Sequence, residues 1–286
     1  METHYTLFTE AYGFVETRLD VFLGQGVQNA AAEVAGPLRL VLVLYVLLYG
    51  FAIIRGAINE PLIDFSIRSL KLAAIYLLAT TPAYSGYVTE PLFHVMPDML
   101  SRAVGGGQTS EAGAAFDQYL SRAGWLGERL SNGAGPFDIG QWLMSGAVWI
   151  AGALAAALGF GIVLVAKVAL ALIIALGPIF IGLALFEATR RYFFGWLSQA
   201  VNYLVLFALI FAVFQLVLAM VADQWETLQG QDAMAAGFAF IALSILGAIF
   251  FLQTPTLAAG IAGGASIGVS DFMRAGGRVL PRGRRR

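Results

Sequence analysis

The charged residues of this chain are sorted by sign between long apolar blocks. Three basic segments, Arg55–Lys71, Arg190–Arg191 and Arg274–Arg286, hold 11 of the 17 Lys and Arg residues. The segments that alternate with them are acidic, with net charges of −4, −3 and −3 for residues 1–36, 89–141 and 223–233. Short loops rich in Lys and Arg stay on the cytoplasmic side of a membrane. The alternation therefore predicts a chain that crosses a membrane several times with its basic segments inside.

The composition agrees with a membrane protein. Hydrophobic residues make up 59% of the chain and charged residues 12%, against about 25% charged in soluble domains.

Apolar residues at spacings of three and four over residues 5–28 predict an amphipathic helix, and Pro82 is expected to kink or end the span that contains it. Five apolar blocks are predicted membrane spans: residues 37–54, 70–88, 142–166, 196–222 and 234–252.

Residues 142–186 form the most unusual stretch, because 45 residues contain a single charge, Lys167. A continuous helix of this length would be about 67 Å long, enough for two crossings of a ~30 Å hydrocarbon core. The charge pattern requires an odd number of crossings, because an acidic region precedes the stretch and Arg190–Arg191 follow it. We therefore expect one span over residues 142–166, followed by a re-entrant hairpin broken at Gly177–Pro178.

This arrangement has two consequences. Lys167 is expected either to anchor the span at the inner interface or to act as a path or partner residue. Unpaired backbone at the Gly177–Pro178 break is tolerated in a membrane only where it is buried in protein or lines a wet cavity. The break therefore predicts a pore or a tight oligomer.

The predicted fold class is an all-α polytopic membrane protein. It has about five transmembrane helices, a re-entrant or broken helical hairpin and an N-terminal amphipathic helix. The one long polar region contains a glycine hinge at Gly105–Gly107 and an amphipathic helix over Glu111–Leu130. Five regions follow from this pattern: a periplasmic N-terminal helix (1–36), two spans with a short cytoplasmic loop (37–88), a large periplasmic loop (89–141), a transmembrane core (142–254) and a basic cytoplasmic tail (255–286).

No residue pattern indicates an active site. The chain has no Cys, and its two histidines, His4 and His94, are far apart in the sequence, so no metal site is expected. Phosphate-loop, dinucleotide-binding and metalloprotease motifs do not occur. The sequence therefore predicts a protein that is not an enzyme and that has no catalytic residues, metal or cofactor.

Two other functional classes stay open. The first is an ion-coupled secondary transporter of a small solute, which usually keeps an ionisable group near the membrane midplane. Asp and Glu are absent from the predicted spans, so Lys167 alone could fill that role. The second is an immunity or small-pore membrane protein that acts alone.

Two features bear on partners. Ala147, Ala151 and Ala155 repeat every four residues, a pattern that lets helices approach closely in lipid and favours self-association. The arginines of the C-terminal tail are expected to fix the topology and to be attracted to the lipid of the inner leaflet.

Two blocks of residues resemble the signatures of a known family. The first comprises Pro37-Leu38, Tyr49-Gly50 and Arg55-Gly56 at the first span. The second comprises Leu176-Gly177-Pro178-Ile179, followed by Phe186, Thr189-Arg190, Trp196 and Gln199. With the order of elements over residues 35–255, these blocks are similar to the TrbL/VirB6 family, polytopic inner-membrane subunits of type IV secretion and conjugation machines.

The resemblance implies a non-enzymatic channel or assembly platform of the bacterial inner membrane that supports pilus or stalk assembly and the passage of DNA or protein. It implies a periplasmic N-terminus, a cytoplasmic C-terminus, a homo-oligomeric ring of five, and contacts with a minor pilin, bitopic scaffold proteins and cytoplasmic ATPases. The family's central loop corresponds to residues 89–141, whose acidic net charge argues against tight phosphate binding. Transient contacts with substrate or a partner are expected from Arg102, Arg122, Trp125 and Arg129.

Overall fold

The computed structural model describes residues 5–56, 62–80, 82–105, 112–135, 137–230 and 232–278. This part of the chain contains eight α-helices and no strand, with π-helical segments at Ser85–Thr89 and Pro91–Val95. The all-α fold class predicted from the sequence is confirmed. The helices are α1 (Leu7–Ile54), α2 (Leu62–Thr80), α3 (Met96–Gly105), α4 (Ala112–Gly133), α5 (Ile139–Ala175), α6 (Gly177–Leu183), α7 (Arg190–Gly230) and α8 (Ala233–Arg278).

The protein is a polytopic membrane protein. Within the described residues, four helices are long and apolar enough to cross a membrane: Leu7–Ile54, Ile139–Ala175, Arg190–Val221 and Ala233–Ile261. Helix α2 is not among them, so the number of five spans stays a prediction.

Helix α1 joins two elements that the sequence separates. The predicted amphipathic helix over residues 5–28 and the first span over residues 37–54 form one helix with Pro37 inside it. The residues between them, Asn29–Gly36, include four alanines, the strongest helix former, and contain no strong breaker before the final glycine. The helix therefore continues through the predicted boundary.

The second predicted span ends earlier in the chain than expected. Helix α2 ends at Thr80, two residues before Pro82, which agrees with the predicted effect of a residue without a backbone N–H. The span was predicted to reach Val88, and this boundary is wrong, because π-helical backbone begins at Ser85.

Helix α5 is longer than expected. The span was predicted to end near residue 166, and this boundary is wrong, because the helix continues to Ala175. Residues 168–175 are Val, Ala, Leu and Ile without a breaker, and Lys167 is buried rather than placed at a helix end. The break itself falls where the sequence predicts it, between α5 and α6.

The acidic segment 223–233 is largely helical, because α7 continues to Gly230 and α8 begins at Ala233. Helix α8 passes through Pro255 and reaches Arg278, so its backbone enters the predicted tail. Several residues of the sequence analysis lie outside the described residues: His4, Gly106, Gly107, Glu111 and Arg282–Arg286.

The chain divides into two compact units. The first unit comprises Met1–Arg18, Met96–Ala169 and Asn202–Gly264, and the second comprises Leu19–Val95, Leu170–Val201 and Ala265–Arg286.

The core of the first unit is a cluster of phenylalanines from four helices. The ring of Phe116 in α4 lies 5.8 Å from Phe160 of α5, 4.2 Å from Phe214 of α7 and 6.2 Å from Phe251 of α8, measured between centroids. Burying an aromatic side chain of this kind contributes about 1.5–3 kcal/mol. The amphipathic helix predicted over Glu111–Leu130 is therefore confirmed as α4, and its apolar face packs against three of the apolar helices.

Two buried polar contacts hold α4 in this position. The hydroxyl groups of Tyr119 and Ser244 lie 2.7 Å apart, and Ser145 Oγ donates to the Gly127 carbonyl at 2.8 Å. Burial raises the pKa of the Tyr119 phenol, so the group stays protonated and available for hydrogen bonding.

The second unit contains the hairpin of α1 and α2. Gly56 ends α1 with a φ of +71°, and its N–H donates to the Ile53 carbonyl at 2.9 Å. A left-handed conformation favours glycine at this helix end. The ring of Tyr49 stacks on Phe65 of α2 at 5.9 Å, which joins the two helices near their connection.

Candidate functional site

The break between α5 and α6 leaves backbone acceptors without their usual donors. Helix α5 ends at Ala175, and α6 begins at Gly177 with Pro178 in its first turn. In a continuous helix the carbonyl of Ile174 would accept from residue 178, but proline has no N–H. The carbonyl of Ile173 would accept from Gly177, which lies beyond the end of α5. These two oxygens need other donors, because a buried unpaired carbonyl costs about 1–3 kcal/mol.

Two side chains supply the missing hydrogen bonds. The phenol of Tyr84 donates to the Ile174 carbonyl at 2.6 Å, and the indole Nε1 of Trp196 donates to the Ile173 carbonyl at 2.7 Å. Tyr84 is fully buried and Trp196 is 6% exposed. These two carbonyls are thus satisfied within one chain, so they do not by themselves require a pore or an oligomer. The pore or oligomer expected from the sequence stays a prediction.

Gly177 is required by the same packing. A Cβ atom at this position would collide with the Tyr84 hydroxyl and would lie 2.9 Å from Cζ2 of Trp196. A side chain there would displace both donors from the carbonyl groups that they satisfy. We refer to Tyr84, Ile173–Ile174, Gly177–Pro178 and Trp196 as the junction.

The turn after α6 is closed by Thr189. Its hydroxyl donates to the Leu183 carbonyl at 2.6 Å and contacts the Phe186 carbonyl at 3.4 Å. The backbone N–H of Arg190 also donates to Phe186, at 2.9 Å. Phe186, Thr189 and Arg190 of the family signature therefore form one connection between α6 and α7.

Arg190 and Arg191 lie in the first turn of α7. Cations are unfavourable at a helix N-terminus, where the helix dipole is positive. Their position is therefore not explained by helix stability, and it fits the topological role predicted from the charge pattern.

The other signature residues lie at varying distances from the junction within the second unit. Pro37 precedes Leu38, and a Cβ at Gly182 of α6 would lie 3.5 Å from a Leu38 methyl group, so this part of α1 packs on α6.

The structure does not bring the remaining four signature residues into the junction. Gly56 ends α1, the Arg55 guanidinium lies 4.8 Å from the Phe51 ring, Gln199 is exposed, and a Cβ at Gly50 would contact nothing within 4 Å.

Lys167 belongs to the first unit and has partners that the sequence does not reveal. Its Nζ lies 2.5 Å from Oε1 of Glu16 and donates to the Tyr12 hydroxyl at 3.1 Å. The residue is 2% exposed. The structure therefore places the buried Lys167 in an ion pair with the partly exposed Glu16 inside the first unit, and not at the end of a helix. A role in a substrate path stays a prediction.

Sequence reasoning missed Asp117 of α4. Its carboxylate accepts from the N–H of Phe8 at 2.9 Å, the N–H of Thr9 at 2.9 Å and the Thr9 hydroxyl at 2.7 Å. The first N–H groups of a helix have no intrahelical acceptor, and a carboxylate also matches the positive end of the helix dipole. The signal available in the sequence was that Asp117 is an acidic residue on the apolar face of a predicted helix. Asp117 therefore attaches α4 to the start of α1.

The four side chains expected to contact substrate lie on two helices, α3 and α4. Arg102 of α3 is exposed, and its Nε donates to the Asp98 carbonyl at 3.2 Å. In α4, the Arg129 guanidinium lies 5.6 Å from the Trp125 ring, and partial burial lowers the pKa of Arg122. The predicted contact role of these residues stays a prediction.

The histidines offer no metal site in the described residues. Nε2 of His94 lies 3.3 Å from a carboxylate oxygen of Asp20, a pairing that its sequence neighbours did not predict. The described part of the chain contains no group of three His, Cys, Asp or Glu side chains that could hold a metal ion.

Comparison with known proteins connects this geometry to a family. The family model described as TrbL/VirB6 plasmid conjugal transfer protein matches residues 42–254, a range that includes the whole junction. The chain belongs to the TrbL/VirB6 family. This confirms the resemblance carried by the two signature blocks.

Relatives in the TrbL/VirB6 family match most of the chain. It is 24% identical to the type IV secretion system protein VirB6 of Bartonella quintana (strain Toulouse), over 90% of this chain and 80% of the relative. The VirB6 protein of Bartonella henselae is also 24% identical, with the same coverage. Protein VirB6 of Agrobacterium fabrum (strain C58) is 25% identical over 81% of this chain and 76% of the relative.

Proposed function

We propose that this protein is an inner-membrane subunit of a type IV secretion system that acts as a channel or assembly platform. Membership of the TrbL/VirB6 family supports this role, as do the Bartonella relatives, which are named as type IV secretion system proteins. Four apolar helices suit a multi-pass subunit. The proposal includes no catalytic step.

The junction is the observation that carries the proposal. Gly177, Pro178 and Trp196 of the family signature meet there, and Tyr84 from the α2–α3 connection donates to the Ile174 carbonyl. The Ile173 and Ile174 carbonyls hold the break in one arrangement, because releasing either donor would leave an unpaired carbonyl in hydrocarbon. The family signature therefore supports a fixed membrane scaffold on which other subunits assemble.

The finer features of the proposal follow the charge pattern and the resemblance. The N-terminus is periplasmic, the C-terminus is cytoplasmic, and copies of the chain form a ring of five. Residues 89–141 contact substrate or the pilus and scaffold subunits, with Arg102, Arg122, Trp125 and Arg129 as contact residues. Cytoplasmic ATPases act on the opposite side. DNA or protein passes through the assembled machine.

Complementation in a bacterium that carries the whole secretion system tests this function. Deletion of the gene is expected to abolish transfer of DNA or protein to recipient cells, and the wild-type chain supplied in trans is expected to restore it. Gly177→Leu should not restore transfer, whereas Gly161→Leu should, because a Cβ at Gly161 would contact nothing within 4 Å. Normal transfer in the deletion strain would contradict the proposal.

An ion-coupled transporter is the second candidate, and the buried charge of Lys167 is the observation that favours it. Purified protein in liposomes would then take up a small solute when an ion gradient is applied. We expect no such uptake, because Lys167 is already paired with Glu16. Gradient-driven uptake that Lys167→Met abolishes would favour the transporter.

A further inference from the structure

Helix α8 defines which part of the first unit lies inside the bilayer. Its apolar segment, Ala233–Ile261, is 29 residues long, whereas a crossing of the ~30 Å hydrocarbon core takes about 20 residues. A crossing placed at one end of the segment covers residues 233–252, and one placed at the other end covers residues 242–261. Residues 242–252 are inside the bilayer in both cases. Side chains that contact them therefore lie at bilayer depth.

The start of α4 makes such contacts. The Tyr119 hydroxyl lies 2.7 Å from that of Ser244, and the ring of Phe116 lies 6.2 Å from the ring of Phe251, measured between centroids. Both partners fall within the part of α8 that is inside the bilayer wherever the crossing is placed. The start of α4 is therefore at bilayer depth, although the charge pattern predicts a periplasmic loop for this part of the chain.

At this depth α4 exposes a polar side chain, whereas its neighbours expose apolar ones. Leu154 of α5, Leu216 of α7 and Ile245 of α8 are 59%, 52% and 55% exposed, which suits contact with lipid. Leu154 and Leu216 adjoin residues that pack around Phe116, so they lie at the same level. Gln118 of α4 is exposed too. Moving an amide from water into hydrocarbon costs about 4–8 kcal/mol, so lipid is not the neighbour of this side of α4.

The exposed amide belongs to a polar strip along α4. Side chains three or four residues apart lie on one side of a helix. The polar strip consists of exposed or half-buried residues at this spacing: Gln118, Ser121, Arg122, Trp125, Glu128 and Arg129. Near its other end, Leu130 lies against Gly237, close to the start of α8. The strip thus extends from bilayer depth to the end of the first unit at which α8 begins.

The start of α1 adds an ionisable group beside the strip. Asp117 of α4 accepts from the N–H groups of Phe8 and Thr9, so α1 begins at the same depth as the start of α4. Glu10 follows Thr9 and is exposed. A carboxylate costs far more in hydrocarbon than an amide does, and an ionisable group at this depth usually faces the interior of a bundle or water. The surface around the strip therefore requires a polar neighbour.

We propose that the polar strip of α4 lines a water-filled recess, which opens where α8 begins and extends to bilayer depth. Water reaches the deep end because the strip is polar along its whole length. A second copy of the chain would offer apolar side chains of α5, α7 and α8 at this depth, which do not hydrogen-bond to the strip. The proposal does not depend on the secretion function, because it follows from the depth and polarity of one unit.

Thiol reactivity tests the recess, because the chain has no Cys of its own. Full-length single-cysteine variants are reconstituted in sealed phospholipid vesicles, with a charged, membrane-impermeant maleimide on both sides. Gln118→Cys should react at a rate close to that of Glu128→Cys at the open end of the strip. Ile245→Cys is the matched control, because Gln118 and Ile245 adjoin the two residues whose hydroxyl groups are 2.7 Å apart. It should react ~100-fold more slowly, because the reactive thiolate is disfavoured in hydrocarbon.

A second variant guards against a local effect at Gln118. Ala114 is exposed one helical turn earlier on α4, and Ala114→Cys changes the side chain little and should also react rapidly. Equal, slow reaction of Gln118→Cys and Ile245→Cys would overturn the proposal. Gln118→Cys that reacts slowly in vesicles and rapidly as a monomer in detergent would overturn it too, since lipid or a second copy would then cover the strip. Rapid reaction of Ile245→Cys would overturn the assigned depth of α8.

Discussion

The hydroxyl of Tyr84 donates a hydrogen bond of 2.6 Å to the carbonyl of Ile174, a residue 90 positions away in the sequence. This contact replaces the bond that Pro178 is unable to provide at the break between α5 and α6. The indole Nε1 of Trp196 donates to the preceding carbonyl, that of Ile173, at 2.7 Å. A helix break that the sequence marks with two residues is therefore stabilised by side chains from two other elements.

Removal of the Tyr84 hydroxyl should destabilise the protein. Tyr84→Phe leaves the buried Ile174 carbonyl unpaired, and we expect a loss of about 1–3 kcal/mol in the free energy of unfolding. Unfolding in detergent micelles measures the effect. Tyr87→Phe is the matched control, because Tyr87 lies in the adjacent π-helical segment and is 77% exposed. Equal stability of the two variants would show that the contact contributes little.

Changes at the helix break should impair transfer more than a change in the basic tail. Gly177→Leu places a side chain against Tyr84 and Trp196. Pro178→Ala restores an N–H that can bond to Ile174 in competition with Tyr84 and continue α5. Arg284→Ala removes one of several cations. We expect lower transfer efficiency for the first two variants and near-normal transfer for the third, and equal efficiency for all three would contradict this.

The ion pair of Lys167 and Glu16 should behave as a coupled unit. Lys167→Met leaves the Glu16 carboxylate without its cation. The expected cost is below the ~3 kcal/mol of a fully buried pair, because the Glu16 side chain is 28% exposed. Adding Glu16→Leu should recover much of this loss, because two apolar side chains replace a pair that was costly to desolvate. A double-mutant cycle of unfolding free energies measures the coupling. Additive effects of the two changes would argue against a functional pair.

Asp117 should contribute to stability through the start of α1. Asp117→Ala removes the acceptor of two backbone N–H groups and one hydroxyl, and we expect a loss of about 2 kcal/mol. Glu128→Ala is the control, because Glu128 is an exposed carboxylate on the same helix. Hydrogen exchange at Phe8 and Thr9 should increase in the first variant alone. Unchanged exchange would mean that these groups find another acceptor.

The predicted topology places the end of the large polar region and the end of the C-terminal tail on opposite sides of the membrane. Reporter tags at Asp138 and Arg286 should therefore report different compartments, because loops rich in Arg and Lys stay in the cytoplasm. Reporter fusions after Arg191 and after Gln229 should likewise report different compartments. Tags at Asp138 and Arg286 that report one compartment would reverse the predicted orientation of part of the chain.

Several features of the fold follow from short stretches of sequence. The apolar blocks and charge order predicted an all-α membrane protein, because hydrophobic burial and charge translocation act on each segment by its own composition. The end of α2 before Pro82 and the break at Gly177–Pro178 were predicted for a similar reason, since proline removes its own N–H. The apolar periodicity of residues 111–130 likewise predicted α4.

The burial of Lys167 could not be obtained in this way. A lone lysine in an apolar stretch suggests a membrane interface, because an unpaired ammonium is costly in hydrocarbon. Glu16 changes that balance, but it lies 151 residues from Lys167. No local pattern relates the two positions, so the contact that accompanies the burial of Lys167 appears only in the folded chain.

By itself, the sequence determined that this chain is a helical membrane protein with a break at Gly177–Pro178, and its motifs identified the family. The tertiary structure alone decided that Tyr84 and Trp196 satisfy the break, that Asp117 caps α1 and that Glu16 pairs with Lys167. The physical reason is that local composition sets where a segment is stable, whereas a buried donor, acceptor or charge must find its partner across the folded chain.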